Sequence, residues 1–149
     1  MKSFKHLCLS VFLSAMFGGI FFLPYSVALA EESVVICNKS VPDIGLSKKE
    51  VEDIFLGKKT RWSDDQKITF VILKGGEAHV NFLSRYIDKT ESQFTMYWKK
   101  MVFTGEGRLP KAFDTPEELL KYVSETSGAI GYVPANAASD RVKTLIVKE

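Results

Sequence analysis

The stretch "VILKGGEAHVNF", residues 71–82, holds the residues best suited to binding chemistry. An apolar run ends at Lys74, Gly75 and Gly76 follow, and Glu77 and Ala78 open what reads as a helix. A strand, a glycine turn and a helix N-terminus together form an anion-binding scaffold, because the first backbone N–H groups of a helix have no partner within it. Lys74 adds a positive point charge. Glu77 works against an external anion: its carboxylate repels phosphate or sulfate and is itself favoured by the helix dipole. The expectation is therefore that Glu77 serves as the helix's own built-in anion, ahead of any oxyanion ligand. Arg108, in the glycine-bearing loop "TGEGRLPK", is the second candidate counter-charge. That loop is no Walker sequence, since no Gly-Lys-Ser/Thr opens a helix after it.

Other chemistries find little support. His79 is the one histidine beyond the first thirty residues, and no Ser or Cys flanks it, so the nucleophile and base that covalent catalysis needs are not seen together. Glu77 and His79 are two apart, a spacing that points them apart on a helix and does not make a metal pair. No enzyme, metal or cofactor is expected. Trp62 sits among basic residues in "KKTRWSDDQK", but one aromatic in a neutral domain does not make a nucleic-acid surface. Cys37, in "VVICN", reads as a small buried hydrophobe in a strand.

The elements that must hold these residues are well punctuated. Lys2, Lys5 and His6 precede a long apolar run, and Ala28-Leu29-Ala30 offers small residues at the two positions a signal peptidase reads. Residues 1–30 are thus expected to be a cleaved secretory signal, leaving residues 31–149 as one exported domain without a stable membrane anchor. The chain has 20 Lys and Arg against 18 Asp and Glu. Lys2 and Lys5 account for the excess, so the domain itself is neutral, and its net charge argues for neither nucleic acid nor anionic lipid.

Within it, Ser47 with Glu50 and Thr90 with Gln93 form capping boxes, and Thr115, Pro116 and Glu118 start a third helix. Gly57 and Gly128 are the expected left-handed stops. Val80, Phe82, Leu83, Tyr86 and Ile87 recur at helical spacing up to about Asp88, and Phe94, Tyr97, Trp98, Met101 and Val102 form a core stripe on the next helix. Strands are expected at residues 33–38 and 68–73, in "AIGYVP" and in "VKTLIV". This is an α/β domain with a mixed sheet of about four strands and helices on its faces.

With those residues in place, "LSKKEVEDIFLGKKTRWSD", "YWKKMVFTGEGRLPK" and "SGAIGYVP" resemble, in order and spacing, the substrate-binding proteins of phosphate ABC transporters, which have the type 2 periplasmic binding protein fold. The resemblance covers residues 34–134. It implies an exported, periplasmic solute-binding architecture in which phosphate or a similar oxyanion is held by the backbone N–H groups of Gly75, Gly76, Glu77 and Ala78, with Lys74 and Arg108 as counter-charges. It also implies a two-lobed clamshell more than twice this length, so this chain resembles a single lobe. The family's loop carries an Arg and a Ser-Gly-Thr run where this chain has "KGGEAHVNF". The hydroxyl donors are missing, and Lys74 lacks the guanidinium's bidentate fork. A second reading is a non-catalytic interaction module that docks an envelope protein through its exposed aromatics and basic loop.

Overall fold

The structure is a computed structural model that describes residues 32–149. The expected signal peptide lies outside the described residues. No helix among those described is long and apolar enough to cross a membrane.

Helix α1 (Lys48–Phe55) begins where its cap places it: Ser47 Oγ accepts from Glu50 N, and Glu50 Oε2 accepts from Ser47 N at 2.9 Å. Val51, Ile54 and Phe55 form its buried face, and Gly57 follows at φ +73°. Lys59 Nζ lies 2.7 Å from Glu50 Oε1, and this bond holds the Glu50 carboxyl down at about 2. Helix α3 (Glu91–Phe103) has the same reciprocal cap from Thr90 and Gln93. In α4 (Pro116–Glu125), the Thr115 hydroxyl accepts from Glu118 N and proline occupies the first turn.

Helix α2 (Glu77–Phe82) is short and widens into a π-helical turn, Leu83–Ile87, that ends at Asp88 in the left-handed region. Its buried residues are Ala78, His79, Phe82, Leu83, Tyr86 and Ile87. This corrects the expected apolar face. A repeat of four across the widened turn aligns 78 with 82 and 86, and 79 with 83 and 87, which leaves Val80 46 % exposed and turns His79 inward.

The main sheet has five strands rather than about four. They are β1 (Ser33–Cys37), β3 (Thr69–Leu73), β4 (Lys111–Phe113), β5 (Ala129–Pro134) and β6 (Lys143–Thr144), in the order β4-β3-β5-β1-β6. The sheet is mixed: β3 runs parallel to β4 and β5, while β1 is antiparallel to β5 and β6. The C-terminal run is not one strand. Leu145 turns into the core, and β7 (Ile146–Lys148) leaves to pair in parallel with β2 (Gly45–Ser47).

Every residue of β5 is buried, as a central strand covered on both faces should be. Successive residues point to opposite faces. Gly131 meets Leu119 and Val123 of α4. Tyr132, on the other face, stacks on Phe82 with ring centroids 3.8 Å apart and 6° between planes, and Phe55 packs beside both. Trp62 closes the core edge, its indole N–H donating to Gly128 O at 3.0 Å. Cys37 is buried in β1, and burial pushes its thiol up to about 11.

Candidate functional site

The glycine turn leaves β3 at Leu73. Lys74 N donates to Phe113 O at 2.9 Å, which extends the β3–β4 pairing by one bond. Gly76 then takes φ +91° and ψ 170° as N-cap of α2, a conformation only glycine adopts without strain. Its carbonyl accepts from His79 N and Val80 N, both at 3.1 Å, whereas the N–H groups of Gly75 and Gly76 donate to nothing among the described residues. The turn therefore presents unused donors beside a helix start.

Lys74 is not a free counter-charge: its Nζ lies 2.8 Å from Asp114 Oδ2, both side chains being exposed. Glu77 does not cap α2. The N-cap position is Gly76, which has no side chain, and Glu77 at the first helical position is exposed with its carboxylate unbonded among the described residues. The expected self-capping hydrogen bond is therefore not made, although Glu77 in the first turn keeps its charge where the helix dipole favours it. The anion that does approach the turn comes from another element. Glu91, first residue of α3, places Oε1 3.6 Å from where a Cβ on Gly75 would sit and 3.9 Å from His79 Nε2.

Beneath the turn lies a buried polar chain. The Tyr132 hydroxyl accepts from Leu73 N at 3.1 Å and also contacts His79 Nδ1. The tyrosine's own proton is free to be donated to Nδ1, an arrangement that would put the imidazole hydrogen on Nε2, the nitrogen nearer Glu91. Ser33 Oγ donates to Ala78 O at 2.8 Å and ties the start of α2 to β1. Burial pulls the His79 pKa below its usual value, with Glu91 opposing, and pushes the Tyr132 hydroxyl up.

A histidine held neutral in the fold but free to protonate when unfolded gives stability that is present above pH ~6.5 and is lost as pH falls through the lower folded value. Urea unfolding is expected to show this decline starting below pH ~6.5, in a window above that of Glu50, and a His79→Gln variant is expected to lose the step. A decline that persists in the variant would assign it to other groups.

Arg108 is not brought to this turn. Strands β3 and β4 are parallel, with Lys111 opposite Val71, so Arg108 precedes the start of β4 while the glycines follow the end of β3. Gly107 packs on Trp98 and Met101 near the far end of α3, whereas Glu91 at its beginning sits by Gly75. The structure thus groups Lys74, Gly75, Gly76, Glu77 and Ala78, adds His79, Glu91, Asp114 and Tyr132, and separates Arg108. A histidine within an apolar register was the one sequence signal for the added residues.

The site lies in a mixed sheet clad by helices on both faces, where a glycine turn opens a helix at a strand's C-terminal end, the usual place for ligands in α/β folds. A family model described as a PBP superfamily domain matches residues 27–147, and the chain belongs to that family. Among curated proteins none matches. The fold is similar to an ABC-type phosphate transport receptor from Vibrio cholerae, with a TM-score of 0.62 and 15 % identity over 77 % of this chain and 45 % of that one. It is also similar to a Clostridium perfringens structure described as a phosphate ABC transporter substrate-binding protein with bound phosphate (TM-score 0.61, 21 % identity, 77 % and 44 % covered). A third is PstS from Borrelia burgdorferi (0.60, 16 %, 78 % and 47 %). The chain spans less than half the length of each of these structures, and the likeness is one of fold.

Proposed function

We propose that this domain is an exported solute-binding module that holds phosphate or a similar oxyanion at the turn from Lys74 to Ala78. The observation that carries the reading is the pair of unused N–H donors on Gly75 and Gly76 at the start of α2, in a chain of the PBP superfamily. Binding is weak for two reasons. The chain covers under half of its structural relatives, so the ion stays open to water, where charge-assisted hydrogen bonds lose most of their strength. Asp114 also pairs with Lys74, Glu91 lies beside Gly75 and Glu77 opens the helix, so an incoming anion meets negative charge at the turn.

Titration calorimetry on protein beginning at Glu31, with phosphate and sulfate, tests the reading. Removing one carboxylate at close range, as in Glu91→Gln or Glu77→Ser, is expected to tighten binding by roughly fivefold, the effect of ~1 kcal/mol between charges near water. Lys74→Ala is expected to weaken it. Absence of heat in both the natural protein and Glu91→Gln overturns the proposal.

The acidic surroundings of the turn favour a second reading, in which solute binding has been lost and the lobe docks a protein of the cell envelope. It predicts that no carboxylate removal restores anion binding.

A further inference from the structure

Helix α3 carries apolar side chains on both of its faces. Of the expected core stripe, Phe94 and Trp98 are buried against the sheet and Tyr97 and Met101 half-buried, whereas Val102 is 42 % exposed. Met96, Lys99, Lys100 and Phe103 stand at i, i+3, i+4 and i+7 and so share the opposite, outward face. Met96 is 68 % exposed and Phe103, the last residue of the helix, 92 %. The loop behind adds Arg108 and the 64 % exposed Leu109.

Some of the chain's cations are neutralised by ion pairs, and others, including those of this surface, are not. Lys48, Lys49, Lys59, Lys74 and Arg85 each lie within ion-pair distance of a carboxylate. Lys99, Lys100 and Arg108 have no such partner among the described residues, and between residues 96 and 109 Glu106 is the one acidic residue. The near-neutral charge of the whole domain conceals a basic cluster built around projecting hydrophobes.

The geometry points to a docking surface for an anionic lipid bilayer, with Phe103, Leu109 and Met96 entering the headgroup layer and Lys99, Lys100 and Arg108 pairing with lipid phosphates. Charge complementarity selects this occupant, and shape selects it over a peptide. A peptide ligand would need a walled seat for the phenyl ring, whereas Phe103 and Met96 ride the crest of the helix, where a fluid surface closes around them without a matching cleft. Each contribution is small alone. Together they give reversible surface association, not insertion. The surface is independent of the glycine turn: α3 has 13 residues, which places its two ends ~20 Å apart, with Glu91 and the turn at the far end.

The test is co-sedimentation of the exported protein, confirmed by mass to begin at Glu31, with sucrose-loaded vesicles of mixed phosphatidylglycerol and phosphatidylcholine or of phosphatidylcholine alone. Binding to the mixed vesicles is expected. It should be at least about tenfold weaker for the neutral vesicles and for a Lys99→Glu, Lys100→Glu variant, given ~1 kcal/mol per basic residue at an anionic surface. Phe103→Ser should weaken it several-fold while leaving the thermal melt unchanged. No binding, equal binding to neutral vesicles, or binding indifferent to these substitutions overturns the inference. So does loss of a self-associated dimer on Phe103→Ser in light scattering, or patch-dependent binding of an acidic amphipathic peptide where vesicles fail.

Discussion

Phe55→Ala is expected to destabilise the domain by about 3–5 kcal/mol, the range for emptying a buried phenyl site. The ring is fully buried at the end of α1 and meets three other aromatics. Its centroid lies 5.4 Å from Phe70, 4.7 Å from Phe82 and 5.9 Å from Tyr132. Phe82 and Tyr132 are already stacked on each other, so neither can swing across to fill the void without giving up that contact. A drop in melting temperature of roughly 10–20 °C follows for a domain of this size. A fall of only a few degrees would mean that the α1 side of the core collapses around the gap.

Gly128→Ala should cost nearly as much, by a different route. Gly128 sits at φ +72° between α4 and β5, and a Cβ there would lie 2.3 Å from Lys67 O, a backbone atom with little room to retreat. The left-handed conformation alone costs an L-residue about 1–2 kcal/mol, and relieving the clash adds roughly 1–3 more. The same residue also joins three parts of the chain: its N–H donates to Ser40 Oγ, and its carbonyl accepts from Trp62 Nε1 and Thr69 N. Any shift that makes room therefore loosens the indole and the first bond of β3. Chemical denaturation measures the loss, and a variant within ~0.5 kcal/mol of the parent would show that the segment at Lys67 yields freely.

What was legible in the sequence follows the range of the interactions. The caps of α1, α3 and α4 depend on residues three apart, and Ser47 with Glu50, Thr90 with Gln93 and Thr115 before Pro116 could each be read directly. Strand β4 could not. Its three residues carry no alternation of their own and become a strand through parallel pairing with β3, some forty residues earlier. The division of the last residues between β6 and β7 is set the same way, by β1 on one side and β2 on the other.

The candidate site divides along the same line. Its glycines and Lys74 are consecutive and were visible. Tyr132 and His79 meet across 53 positions, and Glu91 reaches the turn only because α3 starts beside it. Arg108 was joined to the turn on charge alone, and the direction of β4 sends it to the other end of the sheet.

The single thiol of the described domain has a practical bearing on all of these experiments. Cys37 is sealed inside β1 and protonated at neutral pH, so it should ignore maleimides while the protein is folded. In protein beginning at Glu31, which lacks Cys8, a cysteine introduced at an exposed position such as Ser84 would then be the sole site of attachment for a fluorophore or spin probe. Optical and magnetic-resonance measurements become possible on this chain with its native thiol left in place.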